Sequence, residues 1–147
     1  MVRIAFDIGG VLSKYPDVWR PIVDLLCFRG VDSRYGIETF VISDMKPHAK
    51  AVAFCHDNGF MVPPERICCA DYAQHGELCK AILCRELGID VLIDDFPGYV
   101  ATVGSPLLRL LVMPDPTIPY YDDSFKTDNS EGDFGRRKRN PMKSFGE

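Results

Sequence analysis

The chain lacks the long apolar run that a membrane span needs. No window approaches the roughly 18 apolar residues required, and no basic region at the N-terminus leads into an apolar signal core. The cytoplasm is the expected compartment. A surplus of positive charge is missing as well. Lys and Arg number 17 against 21 Asp and Glu, a net charge of −4, which argues against a surface that seeks nucleic acid throughout. Cys-x-x-Cys pairs are absent although there are six cysteines. Cys27, Cys55, Cys68, Cys69, Cys79 and Cys84 sit mostly within apolar patterns and read as small, reduced, buried hydrophobes in a compartment with a reducing thiol pool. The adjacent Cys68 and Cys69 with His75 leave a weak metal alternative without recognised ligand spacing. No internal repeat is visible.

What is present supports one ordinary globular domain. The 147 residues are 46% hydrophobic and 26% charged, and a domain of that size buries roughly two-thirds of its unfolded surface. The stretch from Arg3 to Ser13 organises the rest. Ile4, Ala5 and Phe6 form a short apolar run of the kind that becomes a buried parallel strand, with Asp7 at its carboxyl end. In open α/β sheets that edge is where ligands bind. Gly9 and Gly10 then allow a tight bend and bring peptide N–H groups close to an anion.

Further along, Pro16 to Arg29 carries Val18, Trp19, Ile22, Val23, Leu25 and Leu26 on a helical period, with Gly30 as a stop. Glu38 to Ile42 is a second strand that ends at Ser43-Asp44. Pro47 opens a helix bearing Ala49, Val52, Ala53 and Phe54, which stops at Asn58-Gly59. Glu65 to Ala70 is a third strand, and Gln74 to Leu87 a helix with Leu78, Ala81, Ile82 and Leu87 on one side and Lys80 in its first half. Val91-Leu92-Ile93 is a fourth strand ending in Asp94-Asp95, followed by a Pro97-Gly98 turn. Leu107 to Met113 is the fifth. Strands alternating with helices demand parallel pairing through right-handed crossovers. The expected fold is therefore an α/β, three-layer, doubly wound and mainly parallel five-stranded sheet of Rossmann-like type. The expected domain covers residues 1–114. From 115 to 147 the composition turns to Pro, Asp, Ser, Gly and Lys/Arg, and a disordered or loosely packed tail is expected. Its cluster Arg136, Arg137, Lys138 and Arg139 leaves nucleic acid open as a partner, against a solvated charge run.

Asp7, Ser43, Lys80 and Asp94-Asp95 thus fall at or near one edge of the predicted sheet. In isolation each has an ordinary reading: a turn former, a helix cap, a solvated helix charge. Two adjacent carboxylates at the end of a buried strand, however, are costly without a cation. A phosphate monoester is an anion that a carboxylate can attack only when a metal and cationic or N–H donors neutralise the charge between them. Mg²⁺ takes oxygen ligands, and Asp7, the carbonyl of Gly9, Asp94 and Asp95 make a credible set.

The ordered set resembles the haloacid dehalogenase-like (HAD) superfamily over roughly residues 1–113. Phe6-Asp7-Ile8-Gly9-Gly10-Val11-Leu12 matches its first motif except at one position, Val41-Ile42-Ser43 its second, Lys80 its third, and Val91-Leu92-Ile93-Asp94-Asp95 its fourth. The resemblance implies a Mg²⁺-dependent phosphohydrolase in which Asp7 attacks to give an aspartyl-phosphate. It further implies that Ser43 donates to a phosphoryl oxygen and that Lys80 offsets crowded negative charge, with Lys46 as a rival. Gly9, Gly10, Ser43, Asp44 and Lys80 are the expected phosphate-binding set. The family's phosphatases place an acid two residues after the nucleophile; here that residue is Gly9. Such general acid–base help is typically worth on the order of 10²–10⁴ in rate. Three readings stay open: an esterase for good leaving groups or one borrowing a proton from a group such as Ser13 or His48, a related reaction, or a degenerate fold kept for binding. A response-regulator-like receiver is less consistent, since its phosphoacceptor ends a middle strand in sequence. No segment is large enough for the family's cap domain, and in this the chain resembles relatives that act on bulky or macromolecular phosphates or use a partner subunit as the lid. A phosphorylated small molecule or bulky phosphate ester is the expected substrate, and a homo-oligomer is open. Tyr15, Trp19 and Arg20 are candidate substrate contacts, or packing and surface residues of the crossover helix.

Overall fold

The computed structural model describes residues 1–30, 34, 36–102 and 108–113. Five strands, β1 (Val2–Phe6), β2 (Ile37–Ser43), β3 (Ile67–Cys69), β4 (Val91–Asp94) and β5 (Leu108–Leu111), form one sheet in the order β3-β2-β1-β4-β5. Every pairing is parallel. Helices α1 (Pro16–Arg29), α2 (His48–Asp57), α3 (Tyr72–His75), α4 (Cys79–Leu87) and α5 (Pro97–Val100) fall between the strands. The expectation of an α/β fold with a parallel five-stranded sheet is met. No helix among the described residues is long and apolar enough to cross a membrane. The expected tail at 115–147, its basic cluster and Leu107 lie outside the described residues.

Side-chain alternation along the strands divides the core in two. Phe6, Val41 and Ile67 face a layer that includes Val23 of α1 and Ala51 and Cys55 of α2. Ala5, Phe40, Ile42 and Leu92 face the opposite way, toward Cys79 and Cys84 of α4 and Tyr99 of α5. Strand β1 is central, paired to β2 on one side and β4 on the other, with Phe6 level with both Val41 and Ile93. The strand order reverses between β1 and β4, the position at which open α/β sheets generally bind ligands.

Several local expectations are corrected. The third strand is three residues long, because Pro64–Arg66 forms a tight helical turn ahead of it. The single helix expected over Gln74–Leu87 is broken: α3 ends at Gly76, which takes φ 60 and ψ −140, and α4 restarts after a second tight turn. Its buried face holds Cys79, Lys80 and Cys84, while Leu78 is exposed. In α2 the buried positions are Ala51 and Cys55; Val52 and Phe54 pack partly, and Ala49 and Ala53 are exposed. In α1, Val23 is buried and Trp19 and Leu26 pack against the same core, but Val18, Ile22 and Leu25 are exposed. The Pro97-Gly98 turn is the start of α5. All six cysteines are free thiols, Cys55, Cys79 and Cys84 buried and the others half-buried.

Candidate functional site

Asp7 follows β1 directly, and its N–H donates to the Ile93 carbonyl at 2.9 Å, so it stands beside the end of β4. Asp94 is the last residue of β4 and Asp95 the next. All three carboxylates are fully buried, and one oxygen from each lies within 4.8 Å of the others. After Asp7 the chain makes one wide turn through Ile8–Leu12, in which Gly10 takes φ 79. A side chain at Gly10 is excluded for a second reason: a Cβ would sit 1.9 Å from Asp95 Oδ2. The glycine therefore makes room for the third carboxylate. Its N–H, expected to face an anion, donates to Ser13 Oγ at 3.0 Å.

Lys80 approaches from the helix layer. It is the second residue of α4, completely buried, and its Nζ donates to Asp7 Oδ1 at 2.6 Å and to Asp94 Oδ2 at 2.5 Å. Asp94 is further held through Oδ1, which accepts the Phe96 N–H at 2.9 Å. A buried ammonium is tolerable only with such partners, so the restart of α4 at Cys79 and the carboxylates at the sheet edge require each other. Lys46, the rival in the sequence, pairs with Asp71 at 2.8 Å on a half-exposed rim.

Ser43 and Asp44, at the end of β2, are also buried. Ser43 Oγ accepts the Met45 N–H at 3.0 Å, a local turn bond that orients the hydroxyl. Asp44 Oδ2 accepts the phenol of Tyr99 at 2.7 Å. The face of the Tyr99 ring lies 4.6 Å from Lys80 Nζ. Sequence reasoning misses Tyr99; its only signal there is a tyrosine four residues after Asp95 in a short Pro-Gly segment. Of the groups considered as substitute proton donors, Ser13 accepts from Gly10, and His48 Nε2 donates to the Ile67 carbonyl at 2.7 Å.

The thiols beside the site are buried. Burial pushes the Cys79 thiol up to about 11, against the pull of the Lys80 charge and of a hydrogen bond with Tyr99. Burial likewise pushes Cys84 up to about 12, with the Lys80 charge opposing it and the Asp94 charge adding to it. Neither cysteine is a thiolate nucleophile in this setting.

The donor set can be tested against a cation. Asp7, Asp94 and Asp95 offer only hard oxygen ligands, which suit Mg²⁺ and not a soft metal. Three carboxyl groups meet the ammonium of Lys80 in a buried cluster, so acidic groups outnumber the cation there. A divalent ion would offset that surplus, and the residues fit one. Comparisons of the chain with protein-family models, with curated proteins and with solved structures found no match.

Proposed function

We propose that this chain is a Mg²⁺-dependent phosphohydrolase of HAD-like type, built as one catalytic domain over about residues 1–114 without a cap, with Asp7 as nucleophile. The observation that carries the reading is the buried cluster of Asp7, Asp94 and Asp95 around Lys80 at the carboxyl edge of the sheet. Asp7, Asp94, Asp95 and the Gly9 carbonyl would hold Mg²⁺, which when bound supplies the positive charge that lets a carboxylate approach a phosphate anion.

The chain's own groups do the rest. Lys80 grips Asp7 through Oδ1 and so prevents the carboxylate from turning about its Cβ–Cγ bond. An oxygen of Asp7 attacks phosphorus in line with the ester oxygen; the bond to that oxygen breaks, and the leaving group departs with the bonding pair as an alkoxide or aryloxide that takes its proton from water. The aspartyl-phosphate that results is cleaved by water at phosphorus, which restores Asp7 and releases phosphate. Ser43, whose oxygen already accepts from Met45, directs its O–H toward a phosphoryl oxygen. With Gly9 in place of an acid, the leaving group carries its own charge away, and esters of acidic alcohols are the preferred substrates. A catalytically degenerate binding module is the second reading, and Gly9 is the residue that favours it.

The test is phosphate release from para-nitrophenyl phosphate and from alkyl and nucleoside monophosphates, with Asp7→Asn beside the wild type. Turnover of the aryl ester that disappears with EDTA and in Asp7→Asn supports the enzyme. Mg²⁺ binding with no release from any ester supports the binding module, and folded protein with neither removes both readings.

A further inference from the structure

A lysine ammonium has three N–H groups and a flexible four-carbon stem, so two carboxylates alone do not fix where it points. In this fold a third surface bears on it. The Tyr99 ring faces Lys80 Nζ at 4.6 Å, inside the range of cation–π attraction, and both residues are buried. The ring in turn needs holding, because α5 is a single turn of four residues. Several contacts hold it, a hydrogen bond with Cys79 among them. The Phe96 ring packs edge-on at 5.1 Å, Thr102 Oγ1 donates to the Tyr99 carbonyl at 2.8 Å, and the Tyr99 phenol donates to Asp44 Oδ2 at 2.7 Å. Asp44 follows β2, whereas Tyr99 follows β4. With β1 lying between those strands, the Tyr99–Asp44 bond ties the segments on either side of Asp7 together.

We propose that Tyr99 is the positioning residue of this site: its ring face seats the Lys80 ammonium against Asp7 and Asp94, and its phenol, anchored on Asp44, fixes the ring. This rests on the phosphoryl-transfer reading above for its effect on rate, though not for the seating itself. In this role Tyr99 acts through Lys80 and Asp44. Removing the ring therefore frees the ammonium to shift and admits water beside it, so that Asp7 is no longer held for attack while substrate binding is spared.

Two measurements on full-length protein test this, with folding checked by circular dichroism and thermal melting. In steady-state hydrolysis of para-nitrophenyl phosphate, Tyr99→Leu lowers kcat about tenfold or more, the scale of a desolvated cation–π interaction, with KM within about twofold. Tyr99→Phe, which keeps the ring but loses its anchor on Asp44, falls between the wild type and Tyr99→Leu in kcat. In the second measurement, the chain is treated with acetic anhydride and Lys80 acylation is read by peptide mass spectrometry. Lys80 resists in the wild type and in Tyr99→Phe, and reacts about tenfold faster in Tyr99→Leu, where the same cation–π attraction no longer holds the ammonium. Tyr99→Met is the ringless variant to use if Tyr99→Leu does not fold. Equal kcat losses in the Phe and ringless variants overturn the proposal, as does Lys80 acylation that is the same with and without the ring. If the wild type turns over no ester, the phosphoryl-transfer reading has failed, and the acylation comparison still decides the seating.

Discussion

Replacing Lys80 by Met keeps most of the apolar stem of the side chain and removes the ammonium, with its charge and its N–H donors. In the native cluster that charge lies 2.6 and 2.5 Å from oxygens of Asp7 and Asp94, with Asp95 in the same group. Two unit charges about 4 Å apart interact by roughly 4 kcal/mol at the effective dielectric of a protein site. Taking away the ammonium removes two such attractions and leaves the repulsion among three buried carboxylates unopposed. Breaking a buried pair from one side typically costs about 3–5 kcal/mol. Because one ammonium serves two carboxylates, Lys80→Met belongs at the upper end, near ~5 kcal/mol. That is a third or more of the ~5–15 kcal/mol that holds an ordinary domain together. Urea unfolding in EDTA, followed by circular dichroism and extrapolated linearly, measures it. Excess Mg²⁺ should then stabilise the variant more than the wild type, since the cation replaces the missing charge; saturation at about 100 times the dissociation constant is worth ~2.7 kcal/mol. A loss below about 1 kcal/mol would refute the reasoning, because a surface ion pair contributes up to that much and Lys80 would then be no better placed than one.

Two further outcomes are expected. Gly10→Ala forces a side chain into the left-handed conformation at φ 79 and onto Asp95. The backbone conformation alone costs about 1–2 kcal/mol, and displacement of Asp95 should also remove the Mg²⁺-dependent gain in stability; wild-type unfolding with an intact Mg²⁺ response would contradict the geometry. The thiols predict the alkaline limb. Burial raises Cys55 and Cys84 to about 12 and Cys69 and Cys79 to about 11, from an ordinary value of 9.0. Folding therefore favours the neutral thiols, and their contribution is complete below about pH 9 and lost as the pH rises from there toward about 11 and 12. Urea midpoints measured across that window should fall with pH, and Cys55 and Cys84 should react slowly with Ellman's reagent at mildly alkaline pH until the chain is unfolded. A flat alkaline limb, or full reaction of every thiol in the native state, would count against the burial.

The strands and the acidic residues at their ends can be read locally. An apolar run of a few residues followed by Asp or Ser is a pattern of neighbours, and Ile4-Ala5-Phe6-Asp7, Val41-Ile42-Ser43 and Leu92-Ile93-Asp94-Asp95 each form a strand and its carboxyl end. The alternation of strand and helix suffices for parallel pairing, since no short connection can join parallel neighbours. Which stripe of a helix turns inward is not legible where apolar residues run around it. In α1 and α2 the choice of Val23, and of Ala51 with Cys55, depends on where the sheet surface lies, and that surface is made by strands distant in sequence. In the sequence Lys80 and Lys46 are rivals for one role, Lys80 in the first half of an expected helix and Lys46 close after Ser43. Only the fold separates a cation buried between Asp7 and Asp94 from one paired with Asp71 at the rim, because the cost of desolvating an ammonium is set by what surrounds it in space. For the same reason the approach of Tyr99 to Lys80 and Asp44 cannot be read from the sequence. It joins residues far apart along the chain, and it exists only because β2, β1 and β4 bring their carboxyl ends together.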